Sequence, residues 1–207
     1  MRIAILGGTG RIGGHVVGWA LDAGHPVHAL ARQPGVLPQR PGLTVTCGDA
    51  LDAGAVTEVI AGSDAVVSAL GPRGARSPGL LAGAAAAIVS GMHRAGTKRL
   101  VCVSAAGAYI AGDPDSGWLI KAVLPRVLAG PFADVRRMEE MVRASGLDWT
   151  LVRATRLVNT PRTWRYRARP DHPPAGGRKI SRADVADFIA TTLTEYAWPH
   201  AAPALAY

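Results

Sequence analysis

Cysteine is scarce in this sequence: Cys47 in LTVTCGD and Cys102 in LVCVSA are the two present. Both lie in apolar, strand-like runs, which predicts two separate buried thiols and argues against a disulfide-stapled scaffold. The six histidines occur without ligand spacing, so no metal site is expected. No apolar run reaches the about 20 residues needed to span a bilayer. The stretch AGAAAAIVSGM is too short and too rich in Ala. No charged-then-apolar leader precedes the first strand-like run, so a cytoplasmic protein with no membrane partner is expected. Low-complexity tracts and internal repeats are also lacking. The 25 Gly and 15 Pro are spread through turns and punctuate elements.

Acidic residues are outnumbered, 15 against 23 Lys plus Arg, which leaves a formal net charge of +8 carried mostly by Arg. The basic residues form no single helix face and no aromatic-interleaved run, so a nucleic-acid partner is not expected. An Arg-rich surface that meets an anionic cofactor or substrate fits the charge better.

What is present is an alternation. Short apolar runs at 2–6, 26–31, 43–47, 65–70, 99–103 and 149–152 read as strands. Helical patterns at 12–23, 53–61, 80–95, 131–145 and 181–193 separate or follow them. Continuous apolar strands joined by helices predict an α/β protein: a single-domain, Rossmann-like, doubly wound parallel sheet over residues 1–207, with helices on both faces. Residues 154–179 differ, being rich in Arg, Pro and Gly, and read as a substrate-side loop region with a short strand near 164–167.

The first strand runs into ILGGTGRIGG, which places Gly7, Gly10 and Gly13 at a strand-to-helix corner. One glycine serves the tight turn, one lets the backbone approach a pyrophosphate, and one lets helix lie close on strand. The helix N-terminus then offers free N–H groups to phosphate. The second strand ends at Arg32, where NAD enzymes place an acid for the ribose hydroxyls; a cation there suits the 2′-phosphate of NADP. Asp49 and Ala50 follow the third strand, where they can meet the adenine, although Asp49 reads equally as a helix cap. Ala69, Leu70 and Gly71 follow the fourth strand at the same rim.

GGTGRIGG, Arg32, GDALD, VVSALGPRG, KRLVCVSAAGAY, GLDWTLVRATRL and KISRADVADFI resemble, in order and spacing over nearly the whole length, the atypical short-chain dehydrogenase/reductases with NAD(P)H-binding domains. Within that group the chain is similar to the biliverdin-IXβ reductase / flavin reductase type. The glycine motif is shared by many families, whereas the pairing of VRATRL with ISRADVADF is more specific. The resemblance implies an NADP(H)-dependent reductase of flavins, quinones, tetrapyrroles or similar planar acceptors. It implies cofactor contacts from Thr9, Arg11, Ile12 and Arg73 beside the residues above, and it places Ser104 next to the nicotinamide.

The Tyr-x-x-x-Lys pair used for proton transfer by many relatives is absent, since Asp113 stands four residues after Tyr109. The family's substrate-side His is replaced by Arg156, and two preceding prolines by Ala154 and Thr155. Ser104 and Arg156 are therefore the candidate catalytic residues, with Arg156 expected to hold an anionic acceptor. Arg153, Arg162, Arg165, Arg167 and Arg169 crowd the same stretch, where scaffold pairing or an exposed strand face also accounts for charges. Flavin or quinone reduction needs little acid–base help, because the cofactor carries the hydride and water supplies the proton. The same residues also fit a tailoring enzyme of specialised metabolism, or a regulatory protein that senses NAD(P) without turnover.

Overall fold

The computed structural model describes residues 1–33, 35–71 and 78–207. The chain forms β1 (Ile3–Leu6), α1 (Arg11–Asp22), β2 (Val27–Ala31), β3 (Leu43–Cys47), α2 (Ala53–Ile60), β4 (Ala65–Ser68) and α3 (Leu80–Ala95). It continues through β5 (Arg99–Ala105), a 3-10 segment (Ala106–Gly112), α4 (Trp118–Val127), α5 (Ala129–Arg143), β6 (Asp148–Ala154) and β7 (Arg156–Val158). The last elements are β8 (Arg167–Pro170), β9 (Lys179–Ser181), α6 (Arg182–Thr194) and β10 (Pro203–Ala206).

Eight strands form one sheet in the order β3-β2-β1-β4-β5-β6-β10-β8. All neighbours pair in parallel except β8, which runs antiparallel to β10. Strand β1 shows why both faces are covered: Ala4 and Leu6 join the cluster built from α2, α3 and α5, while Ile3 and Ile5 join the one built from α1 and α6. Each fully buried Leu or Ile of this kind contributes about 1.5–3 kcal/mol. The doubly wound α/β architecture is thus the one expected. Among the described residues, no helix is long and apolar enough to cross a membrane.

Several expectations need correcting. Cys102 is buried as expected, and burial pushes its thiol up to about 12. Cys47, by contrast, is exposed, because β3 is the edge strand and is covered only in part. Helix α5 begins before residue 131, and α4 and the 3-10 segment precede it unforeseen. Helix α4, WLIKAVLPRV, buries none of its residues and carries Pro125 inside, and a proline within a short apolar run argues against a helix in sequence. The short strand expected at 164–167 lies at Arg167–Pro170, since Trp164 adopts φ 56° and cannot extend a strand. Strand β10 reads PALA, a poor strand former, and is made one by its place between β6 and β8.

Asp184 organises the loop before α6. Its side chain accepts from Thr163 N at 2.8 Å, Trp164 N at 3.0 Å, Thr163 Oγ1 at 2.9 Å and the Tyr207 phenol at 2.6 Å. Ser181 caps the same helix, its Oγ accepting from Asp184 N at 2.9 Å. The SRAD motif is therefore a helix start and an anchor for chain segments distant in sequence.

Candidate functional site

The carboxyl ends of β1, β2, β4 and β5 open into a cleft with two arms. The first arm, about 560 Å³, is lined by Gly7, Thr9, Gly10, Arg32, Asp49, Ala50, Ala69, Leu70 and Gly71. The second, about 800 Å³, is lined by Thr9, Gly10, Arg11, Ile12, Ala69, Leu70, Gly71 and Ser104. The arms share Thr9, Gly10 and residues 69–71, so they meet across the glycine corner. All sequence-derived cofactor residues within the described segments thus line one continuous cleft. Arg73 lies outside the described residues.

The corner is built for close approach. Gly7 has φ 86°, and a Cβ placed on it would sit 2.6 Å from the carbonyl carbon and oxygen of Ala69. A Cβ on Gly13 would sit 2.1 Å from Gly7 O, so only glycine lets α1 start where it does. Gly10 is the N-cap of α1, and no side chain caps it, which leaves first-turn N–H groups for an anion. Arg32 stands exposed at the far end of the first arm, with Val36 near it. Among the described residues no carboxylate pairs with Arg32 within ion-pair distance. A glycine cradle, an uncapped helix N-terminus and an unpartnered guanidinium along one cleft fit a dinucleotide that carries a 2′-phosphate.

Asp49 does not cap the following helix. Asp52 does, accepting from Gly54 N at 2.8 Å and Ala55 N at 3.3 Å, while Asp49 accepts from Leu51 N at 2.9 Å and stays in the cleft wall.

The second arm is walled by Leu81, Phe132, Val135 and Leu157, with Ser104 at its floor and Arg11 and Arg182 at its side. Ser104 does not bond local backbone. Its hydroxyl meets Glu139 Oε1 at 2.5 Å. Glu139, fully buried on α5, also takes Arg153 Nε at 3.0 Å and Nη2 at 2.7 Å. Ser104 and Arg153 are register partners on adjacent strands, and Glu139 bridges them from above. The Arg153 guanidinium lies 3.6 Å from the Tyr109 ring centroid. Burial, reinforced by the charge of Glu139, pushes the Tyr109 phenol up to about 12. Tyr109 does not line either arm.

Arg156 is placed differently from its expectation. It begins β7, is exposed, and lines neither arm, whereas Leu157 faces the second arm. Adjacent strand residues point to opposite faces, so pairing of β7 with β9 gives the cleft Leu157 and leaves Arg156 to solvent. The guanidinium supplied from this side is that of Arg182, at the start of α6. Other arginines of the crowded stretch are tied into the scaffold: Arg153 to Glu139, Arg162 to Asp187 at 3.4 Å and Arg169 to Asp115 at 2.8 Å.

Two charged residues of the site, and the apolar wall of the second arm, escaped sequence reasoning. Arg182 stands inside SRAD, where the capping pattern drew attention to its neighbours. Glu139 lies in RRMEEMVR, where a charged residue reads as solvated. Its helical spacing with Val135, Met138 and Val142, all buried, was the available signal.

A curated relative, a 3β-hydroxysteroid dehydrogenase/Δ5→4-isomerase of Mycobacterium tuberculosis, is 29% identical over 128 residues, or 56% of this chain and 35% of that protein. The chain thus spans about a third of the length of that curated relative. Among solved structures, a short-chain dehydrogenase/reductase of Veillonella parvula in complex with NADP superimposes with TM-score 0.81 at 22% identity, covering 100% of this chain and 94% of that one. The anaerobilin reductase ChuY of Escherichia coli O157:H7 superimposes with TM-score 0.83 at 20% identity, covering 100% and 97%. At such identities these two likenesses establish the shared fold. A family described as NAD(P)H-binding matches residues 7–196, the span that contains the glycine corner, both arms of the cleft and helix α6, and the chain belongs to that family.

Proposed function

We propose that the protein is an NADPH-dependent reductase of a planar acceptor such as a flavin, quinone or tetrapyrrole. The observation that carries this reading is the joined cleft, with one arm running from the glycine corner to Arg32 and a second, largely apolar arm that reaches Ser104. When bound, the reduced nicotinamide supplies a hydride. Arg32 would pair with the 2′-phosphate, and the first-turn N–H groups of α1 would hold the pyrophosphate. Leu81, Phe132, Val135 and Leu157 would enclose the acceptor ring and exclude water. Arg11 and Arg182, rather than the solvent-facing Arg156, are placed to meet an acidic substituent of that acceptor. Among the described residues no Tyr or Lys lines either arm, which suits acceptors that take their proton from water. Relatives described as a steroid dehydrogenase and an isoflavone reductase homolog, and a structural neighbour described as an anaerobilin reductase, support a reductase of a ring-bearing small molecule.

The test is NADPH oxidation, followed by loss of the reduced nicotinamide absorbance, with FMN, riboflavin, quinones and a linear tetrapyrrole. Turnover with at least one is expected. Tight dinucleotide binding with no turnover on any of them would replace this reading by a sensing role.

A further inference from the structure

The contact between Ser104 and Glu139 fixes a polarity in the second arm. A carboxylate doubly bonded by a guanidinium is an acceptor at both oxygens, and a guanidinium only donates. Arg153 gives Glu139 two hydrogen bonds, and Arg143 Nη2 lies 3.7 Å from the same carboxylate. Neither partner can offer Ser104 a proton at Glu139 Oε1. At 2.5 Å, the single hydroxyl proton of Ser104 must therefore point at Glu139. What Oγ retains on the side of the cleft is lone-pair density.

We propose that Ser104 is an obligate hydrogen-bond acceptor toward the ligand, so the ligand atom set against it is an N–H or O–H donor. Glu139 is the positioning residue that imposes this. The inference rests on the reductase reading in so far as it takes the arm to be a ligand site. It removes Ser104 as a proton donor to a substrate oxygen and makes it an element of selection. A buried acceptor left without a donor is costly, so ligands that differ by one N–H should be sorted there. Two groups have this chemistry: the carboxamide of the dinucleotide, and an N–H of the acceptor ring system.

The experiment compares binding within two pairs of probes, read by quenching of tryptophan fluorescence without turnover. The first pair is NADP⁺ and its 3-acetylpyridine analogue, in which the amide NH₂ is a methyl group. The second is lumiflavin and N3-methyllumiflavin, measured with NADP⁺ bound. Wild type should prefer the donor-bearing member of one pair by about tenfold, and the pair that responds identifies the source. Ser104→Ala should bring that preference within about twofold, and Ser104→Thr should restore it. Glu139→Gln leaves one acceptor oxygen for the two Arg153 donors, and an NH₂ turned to Ser104 would donate to Oγ and free its proton for the ligand, so the preference should shrink or invert. If Glu139→Gln does not fold, the two Ser104 variants decide. Binding without preference in either pair, or a preference that survives Ser104→Ala, overturns the proposal alone. Absence of any dinucleotide binding overturns the reductase reading together with it.

Discussion

The phenol of Tyr207, the last residue of the chain, donates a 2.6 Å hydrogen bond to Asp184 Oδ2 at the start of α6. Asp184 is fully buried. Burial works to raise its carboxyl, but the donors Tyr207, Thr163 and Trp164 outweigh it and hold the carboxyl below the ordinary carboxylate value. A group depressed in the folded state adds stability above its unfolded value, about 3.9, and loses it as pH falls through the folded value. Asp184→Asn should then cost about 2–3 kcal/mol near neutral pH. The gap to wild type should narrow below about pH 4. Urea unfolding of both proteins between neutral and acid pH checks this, and a gap independent of pH would refute it.

Arg153 and Glu139 form a second buried relationship, with side chains 4% and 1% exposed. Removing one partner strands the other charge, so Glu139→Ala should cost about 3–5 kcal/mol. Replacing both by Met should recover much of the loss, because the desolvation cost of both charges disappears. Thermal unfolding of the two single variants and the double variant measures the coupling. Purely additive losses would show that the pair is not the stabilising unit.

Arg32 should set cofactor choice. NADP(H) should bind more tightly than NAD(H), and Arg32→Ala should weaken NADP(H) by roughly ten- to a hundredfold while leaving NAD(H) nearly unchanged. Among the described residues that line the first arm, Arg32 is the one cation, so the preference rests on one guanidinium. Titration of both dinucleotides against both proteins is decisive, and equal affinities in wild type would exclude the 2′-phosphate role.

Tyr109 should be dispensable for chemistry. Its phenol is pushed up to about 12 and its ring lies against Arg153 outside the cleft lining. Tyr109→Phe should keep kcat within about tenfold, whereas loss of a general acid commonly costs ~10²–10⁴. A larger fall with an unchanged melting temperature would reassign it to the site.

Residues close in sequence determined a large part of this protein. Six short apolar strand-like runs with helices between them dictated a covered parallel sheet, because continuous apolar strands bury both faces. Gly7, Gly10 and Gly13 marked the strand-to-helix corner, because their spacing is a local backbone signal, whereas the close approach of Gly7 to the Ala69 carbonyl is made by the pairing of β1 with β4. Arg32, Asp49, Ala50 and residues 69–71 were legible because strand ends share one rim in this topology. The floor of the second arm was not legible. Ser104, Glu139 and Arg153 stand 35 and 14 residues apart in sequence, and only the stacking of α5 over β5 and β6 makes them one hydrogen-bonded unit. The same holds for the exchange of Arg156 for Arg182. Which neighbour of a strand faces the cleft depends on the register of β7 with β9, and that pairing is a tertiary event. Local sequence fixes backbone conformation and periodicity. The direction of a side chain's proton or charge is fixed by partners that long-range packing brings to it.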